Sequence, residues 1–334
     1  MYAFLMHAAL GLTTPIGGLT VKLNNGLDFP IVSFGLQVYD DDTAEAYTKI
    51  AIQSGIRNFF SSVLANNQNG FGRAIANVTS GPNAIKRSDI FICGSVNTGG
   101  GACSGKADCQ TQTAAGCTSN LQAINQPYLD MIMLDYPAGD CDSIQGACRA
   151  RGSLHEDKPF TTNDCGTCDE RASCTPTRIP THTALLSPSY YIHTTGQWAA
   201  FEAMLAAKKT KSIAISNFSP EQIACLKGMT IPAVNQMPYS VGHGSDTTVA
   251  DDAKLGVLVQ AYSPLAGGSL PSDADCLKIG ASHGKSAAQV ALRWIVQRNA
   301  TFTTSASTAA YFAEDVSIFD FVLTDAEMAT LDAK

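Results

Sequence analysis

The chain has 334 residues, of which 45% are hydrophobic and only 15% charged, with a formal net charge of −7. A chain this long and this apolar can bury a large core as one large domain or two ordinary ones, and its acidic balance argues against nucleic acid or an anionic membrane surface as a partner. No run approaches 18 apolar residues, so no membrane-spanning helix is expected.

Residues 1–19 open with MYAFLMHAALGLTTP, an apolar stretch with no Lys or Arg ahead of it. It reads as a poor secretory signal or as an apolar arm packed on the body. From residue 20 short apolar runs alternate with helical patterns. TVKLNNGLDFPIVSFG predicts a hairpin turned by Asn25-Gly26, then a buried strand. DDTAEAYTKIAIQSG predicts a helix with Asp at its start and Gly55 at its close. Further strands are predicted at Arg57–Ser61, Ile90–Gly94, Met131–Leu134, Ser212–Ile215, Ala233–Gln236 and Gly256–Tyr262. Helices fit between them, among them GQWAAFEAMLAAKK, SPEQIACLKG, KSAAQVALRWIVQRN and TDAEMATLDAK. Repeated strand–helix units predict a parallel sheet, most economically a closed (β/α)8 barrel with an N-terminal β-hairpin. Two long insertions, at about 97–120 and 138–191, interrupt the pattern after strand C-terminal ends, the face where such barrels place their function.

Both insertions are rich in cysteine. Of eleven cysteines, eight lie at Cys103, Cys109, Cys117, Cys141, Cys148, Cys165, Cys168 and Cys174, in Gly-, Ser- and Thr-rich sequence with little hydrophobic periodicity. Such sequence cannot order itself around a core, and four disulfides would order it. Zinc is the competing reading of the Cys165-x-x-Cys168 pair, but the remaining spacings are irregular and no metal is expected. Pairing stays open, since eight cysteines allow 105 connectivities. Cys93, Cys225 and Cys276 sit in apolar sequence and are expected as buried thiols. Disulfides imply an oxidising compartment. Sequons at Asn77-Val78-Thr79 and Asn299-Ala300-Thr301, with the thin charge coat, extend the expectation to an extracellular glycoprotein.

KLNNGLDFPIVSFG, the Gly55–Ile75 segment, YLDMIMLDYP, KSIAISNFSPEQI, PAVNQMPYS, VQAYSPL, KSAAQVALRWIVQR and IFDFVLTDAEMATLD occur in that order along the chain. This set resembles the aldo-keto reductases over nearly everything from residue 20 onward. The resemblance implies a TIM barrel reducing carbonyls with a nicotinamide cofactor at its C-terminal face. It also implies a proton-donating Tyr, tuned by a Lys–Asp pair, with a His orienting the substrate. Here the Asp position falls on Phe60, the Tyr on Ala65, the Lys on Ser95 and the His on Asp135. All four groups are replaced, and a neighbour such as Tyr136 would lack the tuning Lys.

At the nicotinamide end, Ser216, Asn217, Gln236 and Tyr262 match the residues the family uses, Tyr262 by stacking. At the phosphate end the family's Lys becomes Ser305, its Arg becomes Tyr311 and its Asn becomes Asp315, while Glu314 is retained. Charge-assisted contacts to phosphate are the strong ones, so weak NADPH affinity and loss of the cofactor are expected. His155, His182 and His193 are spaced too irregularly for a metal triad, and His243, in the Gly-rich stretch SVGHGSD, is expected to serve the loop. Gly99–Gly101 forms no dinucleotide fingerprint, and Ser61-Ser62 lacks a nucleophile-elbow context.

The expected function is therefore a catalytically inactive, secreted barrel serving as a binding or assembly module, its protein partner or second copy met by the insertion loops. One alternative is a lyase or isomerase with Asp135 as base and Ser95, Asn217 and Tyr239 as polar partners. The other retains NAD(P)(H) at Ser216, Asn217, Gln236 and Tyr262.

Overall fold

The computed structural model describes residues 19–96, 103, 105–136, 188–224, 226–244 and 246–334. The N-terminal arm, Gly99–Gly101, Cys141, Cys148, Cys165, Cys168, Cys174, Cys225, His155, His182 and nearly all of the 138–191 insertion lie outside the described residues.

The hairpin forms as the turn chemistry requires. Strands β1 (Thr20–Lys22) and β2 (Asp28–Pro30) pair antiparallel, with Lys22 opposite Asp28 and their side chains 3.0 Å apart. Gly26 takes φ +84°, a left-handed conformation that glycine adopts without strain. The turn is tied to the body by Asn24, whose amide donates to the carbonyls of Pro232 (2.9 Å) and Gly256 (3.0 Å). Those carbonyls precede barrel strands, so the hairpin covers the barrel's N-terminal end.

Strands β3 (Val32–Gly35), β4 (Asn58–Ser61), β5 (Phe91–Val96), β6 (Met131–Leu134), β7 (Ile213–Ser216), β8 (Val234–Pro238), β9 (Leu258–Tyr262) and β10 (Thr301–Thr304) close a parallel barrel in chain order. Closure is made by β10, which pairs with β9 on one side and β3 on the other. TFTT was not among the predicted strands, because its alternating hydroxyls carry no apolar period. Around the barrel run α1 (Asp41–Gln53), α2 (Gln68–Val78), α3 (Gly105–Ile124), α4 (Pro188–Ala206), α5 (Pro220–Ala224), α6 (Asp246–Lys254), α7 (Ala274–His283), α8 (Ala287–Gln297), α9 (Ala309–Val316) and α10 (Asp325–Asp332). Their starts follow local chemistry. Asp40 caps α1 by accepting from the Thr43 amide at 2.8 Å, and Ser286–Gln289 and Thr324–Glu327 form reciprocal capping boxes on α8 and α10.

The first insertion is corrected. Residues 105–124 form α3, a barrel helix, and not a loop stapled over the mouth. Its buried stripe, Cys109, Thr113, Cys117, Asn120 and Ile124, repeats at helical spacing but contains a single large apolar residue, which hid the period. Its small residues serve close approach. A Cβ on Gly116 would stand 2.6 Å from a Val96 methyl, and one on Gly196 of α4 would stand 2.3 Å from the Lys106 carbonyl oxygen of α3. The second insertion is shorter at its end than expected, because α4 starts at Pro188.

The cysteine expectation is met in part. Cys103 and Cys109 form a disulfide, whereas Cys117 is a buried free thiol on the barrel-facing stripe of α3, as are Cys93 and Cys276 in the core. Burial pushes the Cys117 and Cys276 thiols up to about 12, so neither is ionised at neutral pH. Iodoacetamide mapping of the native protein is expected to leave Cys93, Cys117 and Cys276 unlabelled until denaturant is added. Native-state labelling of any of the three would contradict this packing.

Candidate functional site

Strand alternation settles which side chains line the barrel's lumen. Phe59 of β4 packs on Phe71 of α2 with ring centres 5.7 Å apart, so Phe59 faces the helices and Phe60 faces inward. On β5, a Cβ at Gly94 would lie 2.1 Å from Asn120 Oδ1 of α3, so Gly94 faces outward and Ser95 inward. Asn120 in turn donates to the Ser95 carbonyl at 2.7 Å, fixing this end of β5.

Three adjacent strand ends then converge. Asp135, directly after β6, accepts through Oδ2 from Ser95 Oγ at 2.8 Å and from Ser62 Oγ at 3.3 Å. To reach Ser62 beyond β4, the Asp135 carboxylate crosses the inner face of β5. The Val63 amide donates to Ser95 Oγ at 3.0 Å, and Ser62 Oγ caps the turn Val63–Ala65 by accepting from the Leu64 amide. Asp135 is 5% exposed. Burial pushes its carboxyl up to about 6, with the Ser95 and Ser62 hydrogen bonds pulling back toward the ionised form. The described residues direct no hydrogen bond to Oδ1. Phe60 (3% exposed) fills the lumen beside this network, and Ala65 ends the turn without a polar group. Ser62 is the participant that sequence reading missed; its signal is that it lies two residues after Phe60 and so shares the inward face.

The four residues matched to the nicotinamide end come together on β7, β8 and β9. Ser216 Oγ donates to the Gln236 carbonyl at 2.9 Å and accepts from Asn217 Nδ2 at 2.9 Å. The Tyr262 hydroxyl donates to Asn217 Oδ1 at 3.0 Å, and Gln236 Nε2 donates to Gln260 Oε1 at 2.8 Å. Asn217 also reaches the Asp135 carbonyl at 3.4 Å and sits at φ +64°, a left-handed position that Asn tolerates better than most residues. The cradle therefore borders the Asp135 network directly.

The phosphate end lies where β10 meets α9. Tyr39 donates from its hydroxyl to the Ala306 carbonyl at 2.9 Å and is hydrogen-bonded to the Ser305 side chain. Tyr311 is exposed, and Glu314 accepts from Ser286 Oγ at 2.8 Å. Asp315 is 5% exposed, and burial, followed by the neighbouring Glu314 charge, pushes its carboxyl up to about 8. Neither Ser305 nor Tyr311 supplies positive charge, and a buried carboxyl stands among them. The polar groups at the ends of β7, β8 and β9 hydrogen-bond to one another, and Ser305 and Tyr311 offer a phosphate no positive charge.

Other candidates separate from the mouth. Tyr239 stacks on Trp294 of α8 with ring centres 5.2 Å apart, so it faces the helix layer and is no partner for Asp135. His243 turns a tight loop with Ser240, exchanging backbone hydrogen bonds of 2.9 Å. His193 lies on α4. Among the described residues no group of three or more His, Cys, Asp or Glu side chains is placed to hold a metal. Asn77 on α2 and Asn299 before β10 are both exposed, although Thr301 of the second sequon is buried in the barrel.

A closed parallel barrel with a floor hairpin and a polar cluster at its C-terminal mouth defines the class as a (β/α)8 barrel. The sequence pattern of the Aldo/keto reductase family matches residues 32–334, and the chain belongs to that family. It is 23% identical over 320 residues to an aldo-keto reductase of Mycolicibacterium paratuberculosis, covering 94% of this chain and 90% of that one. It is 25% identical over 326 residues to aldo-keto reductase family 1 member A1 of Cricetulus griseus, covering 94% and 88%. Among solved structures it is similar to an aldo/keto reductase from Brucella melitensis, with TM-score 0.71 and 22% identity over 96% of this chain and 99% of that one. The aldose reductase of Schistosoma japonicum aligns with TM-score 0.71 and 23% identity over 94% and 91%.

Proposed function

We propose that this chain is an aldo-keto-reductase barrel without the family's carbonyl-reducing chemistry, used as an extracellular binding or assembly module. The observation that supports it most is the Ser62–Ser95–Asp135 network. Where reduction needs a proton-donating phenol beside a cation, the mouth holds two hydroxyls directed at one carboxylate, with Phe60 beneath them. A carboxylate repels the oxyanion that develops as hydride reaches a carbonyl, so this arrangement opposes the transition state that the family stabilises. The loss of cations at Ser305 and Tyr311 and the buried Asp315 support loss of NADPH as well. The partner surface we propose is the sequence inserted between β6 and α4, since variable insertions after barrel strands commonly carry function.

The test is NADPH and NADH oxidation by purified protein against a panel of aliphatic and aromatic aldehydes. No rate above the protein-free control is expected. A saturable rate that disappears in Asp135→Asn would sink the reading.

A second reading has one observation in its favour. Asp135 is buried, with its carboxyl raised to about 6, close to the range useful to a general base. Lyase or isomerase chemistry on a small carbonyl compound would then appear as deuterium exchange at the carbon beside the carbonyl, lost in Asp135→Asn. Retention of NAD(P)(H) as a bound ligand, which the Ser216–Asn217–Tyr262 cradle favours, would appear as a melting shift at millimolar nucleotide.

A further inference from the structure

A cavity of about 290 Å³ opens in the helix layer, outside the barrel, between α6 and the turn that follows α8. Its walls are largely apolar, with Val249, Ala250 and Ala253 of α6 facing Leu258 of β9 and the Tyr239 ring. The polar side chains that line it are already engaged. Gln297 Oε1 accepts from Arg293 Nε at 3.0 Å and from the Leu323 amide at 2.7 Å, and its Nε2 donates to the Leu323 carbonyl at 3.0 Å. Arg298 Nε donates to Asp332 Oδ1 at 3.0 Å. Walls of this kind call for apolar surface and not for a charged ligand. A smaller cavity shares Leu258 and Asn299 with the first, and Val21 of β1 and Ile31 also line it. The groove therefore borders the first strand of the hairpin. There the Leu19 carbonyl accepts from the Ile31 amide at 3.1 Å, so the described chain begins at this border.

We propose that this groove is the seat of the chain's own N-terminal segment, with apolar side chains from residues 2–12 covering α6 and Leu258. Residues 1–18 lie outside the described residues; their sequence is what suits them to the site. They contain no Asp, Glu, Lys or Arg, and they include Tyr2, Phe4, Leu5, Met6, Leu10 and Leu12. Such a run loses free energy wherever it stays in water, and it gains by covering an apolar wall whose polar groups need no further partner. Reach is ample, since a stretch of this length spans up to about 60 Å when extended. Gly17-Gly18, directly ahead of Leu19, lets the chain change direction at the root. The cavity is at or below the roughly 300–1,000 Å³ of small-molecule sites, which suits a few side chains better than a dinucleotide. The inference is independent of the reading of the mouth, because Ser62, Ser95 and Asp135 take no part in it.

The test uses the full chain. The photo-cross-linker p-benzoylphenylalanine, placed at Phe4 or at Leu10, is expected to join to residues 249–259 of the same chain on irradiation. Cross-links confined to other surfaces or to a second copy overturn the proposal, as does the absence of any from both positions. Melting temperatures give a second readout. Ala253 is exposed in the groove wall, so Ala253→Lys should cost almost nothing if no segment sits there. With the segment seated, Ala253→Lys is expected to lower the melting temperature by about 3 °C or more. Phe4→Ser, Leu5→Ser and Leu10→Ser together are expected to lower it comparably. Adding Ala253→Lys to those three is expected to lower it no further, because both changes remove one contact. Additive losses, or wild-type melting in either variant, overturn the proposal. So does a native protein whose intact mass shows that it begins beyond residue 18.

Discussion

Asp315→Asn is expected to raise the melting temperature at about pH 8.5 and to leave it nearly unchanged at about pH 4.5. In the unfolded chain this carboxyl titrates near its ordinary value of 3.8, whereas burial raises it to about 8 in the fold. A carboxyl raised by folding binds its proton more tightly in the native state. It therefore does no harm below the unfolded value, and it subtracts stability progressively as pH rises from about 4 to about 8. At about 1.4 kcal/mol per unit, the full penalty above that window is on the order of 5 kcal/mol, large against the roughly 5–15 kcal/mol that holds a domain together. Asn keeps the shape and removes the titration. Asp135 and Asp252, each raised to about 6 by burial, add the same sign over a shorter window. The half-buried carboxyls Asp273 and Asp332 and the exposed Asp320, lowered chiefly by hydrogen bonds from Lys334, Arg298 and Lys285 respectively, act oppositely and protect the fold only above their own range. Wild type should thus be most stable in mildly acidic solution. Parallel melting curves for wild type and Asp315→Asn across the whole range would refute the assignment.

Gly70→Ala is the second large effect, and its sign is unusual. Replacing glycine by alanine inside a helix ordinarily stabilises by about 0.5–1 kcal/mol. Gly70, in the first turn of α2, lies against the start of α1: its amide donates to Asp41 Oδ1 at 2.6 Å, and a Cβ would stand 1.8 Å from the Asp41 carbonyl oxygen. Backbone cannot yield as a side chain does, so α1 and α2 would have to separate. The same shift would pull apart the Arg73 contacts to Asp41 and Glu45. A loss of about 3 kcal/mol is expected, at the upper end for overpacking. Gly116→Ala meets only a Val96 methyl and should cost less. Urea midpoints would order the two variants; a Gly70→Ala protein as stable as wild type would show that the two helices are not packed so closely.

Much of this molecule was legible before its structure. The strand–helix alternation, the Asn25-Gly26 turn and the caps depend on neighbours within a few residues, so local sequence carries them. The family frame carried the positions Phe60, Ala65, Ser95 and Asp135 as well. What escaped was whatever depended on contacts distant in sequence. α3 was hidden because its buried stripe is Cys, Thr and Asn, chosen for fit against β5 and α4 and not for apolarity. Cys117 belonged to that stripe and not to a disulfide. Tyr239 looked like a mouth residue by position after β8 but turns to Trp294.

By itself the sequence determined the barrel and its family, because these are matters of residue identity and short-range period. The tertiary structure alone decided that Ser62 and Ser95 point at Asp135, and that Asp135 and Asp315 are buried. The first follows from closing eight strands into a ring, which brings side chains from different strand ends within hydrogen-bond reach, and Asp315 is withdrawn from water on the packed face of α9, beside Phe312.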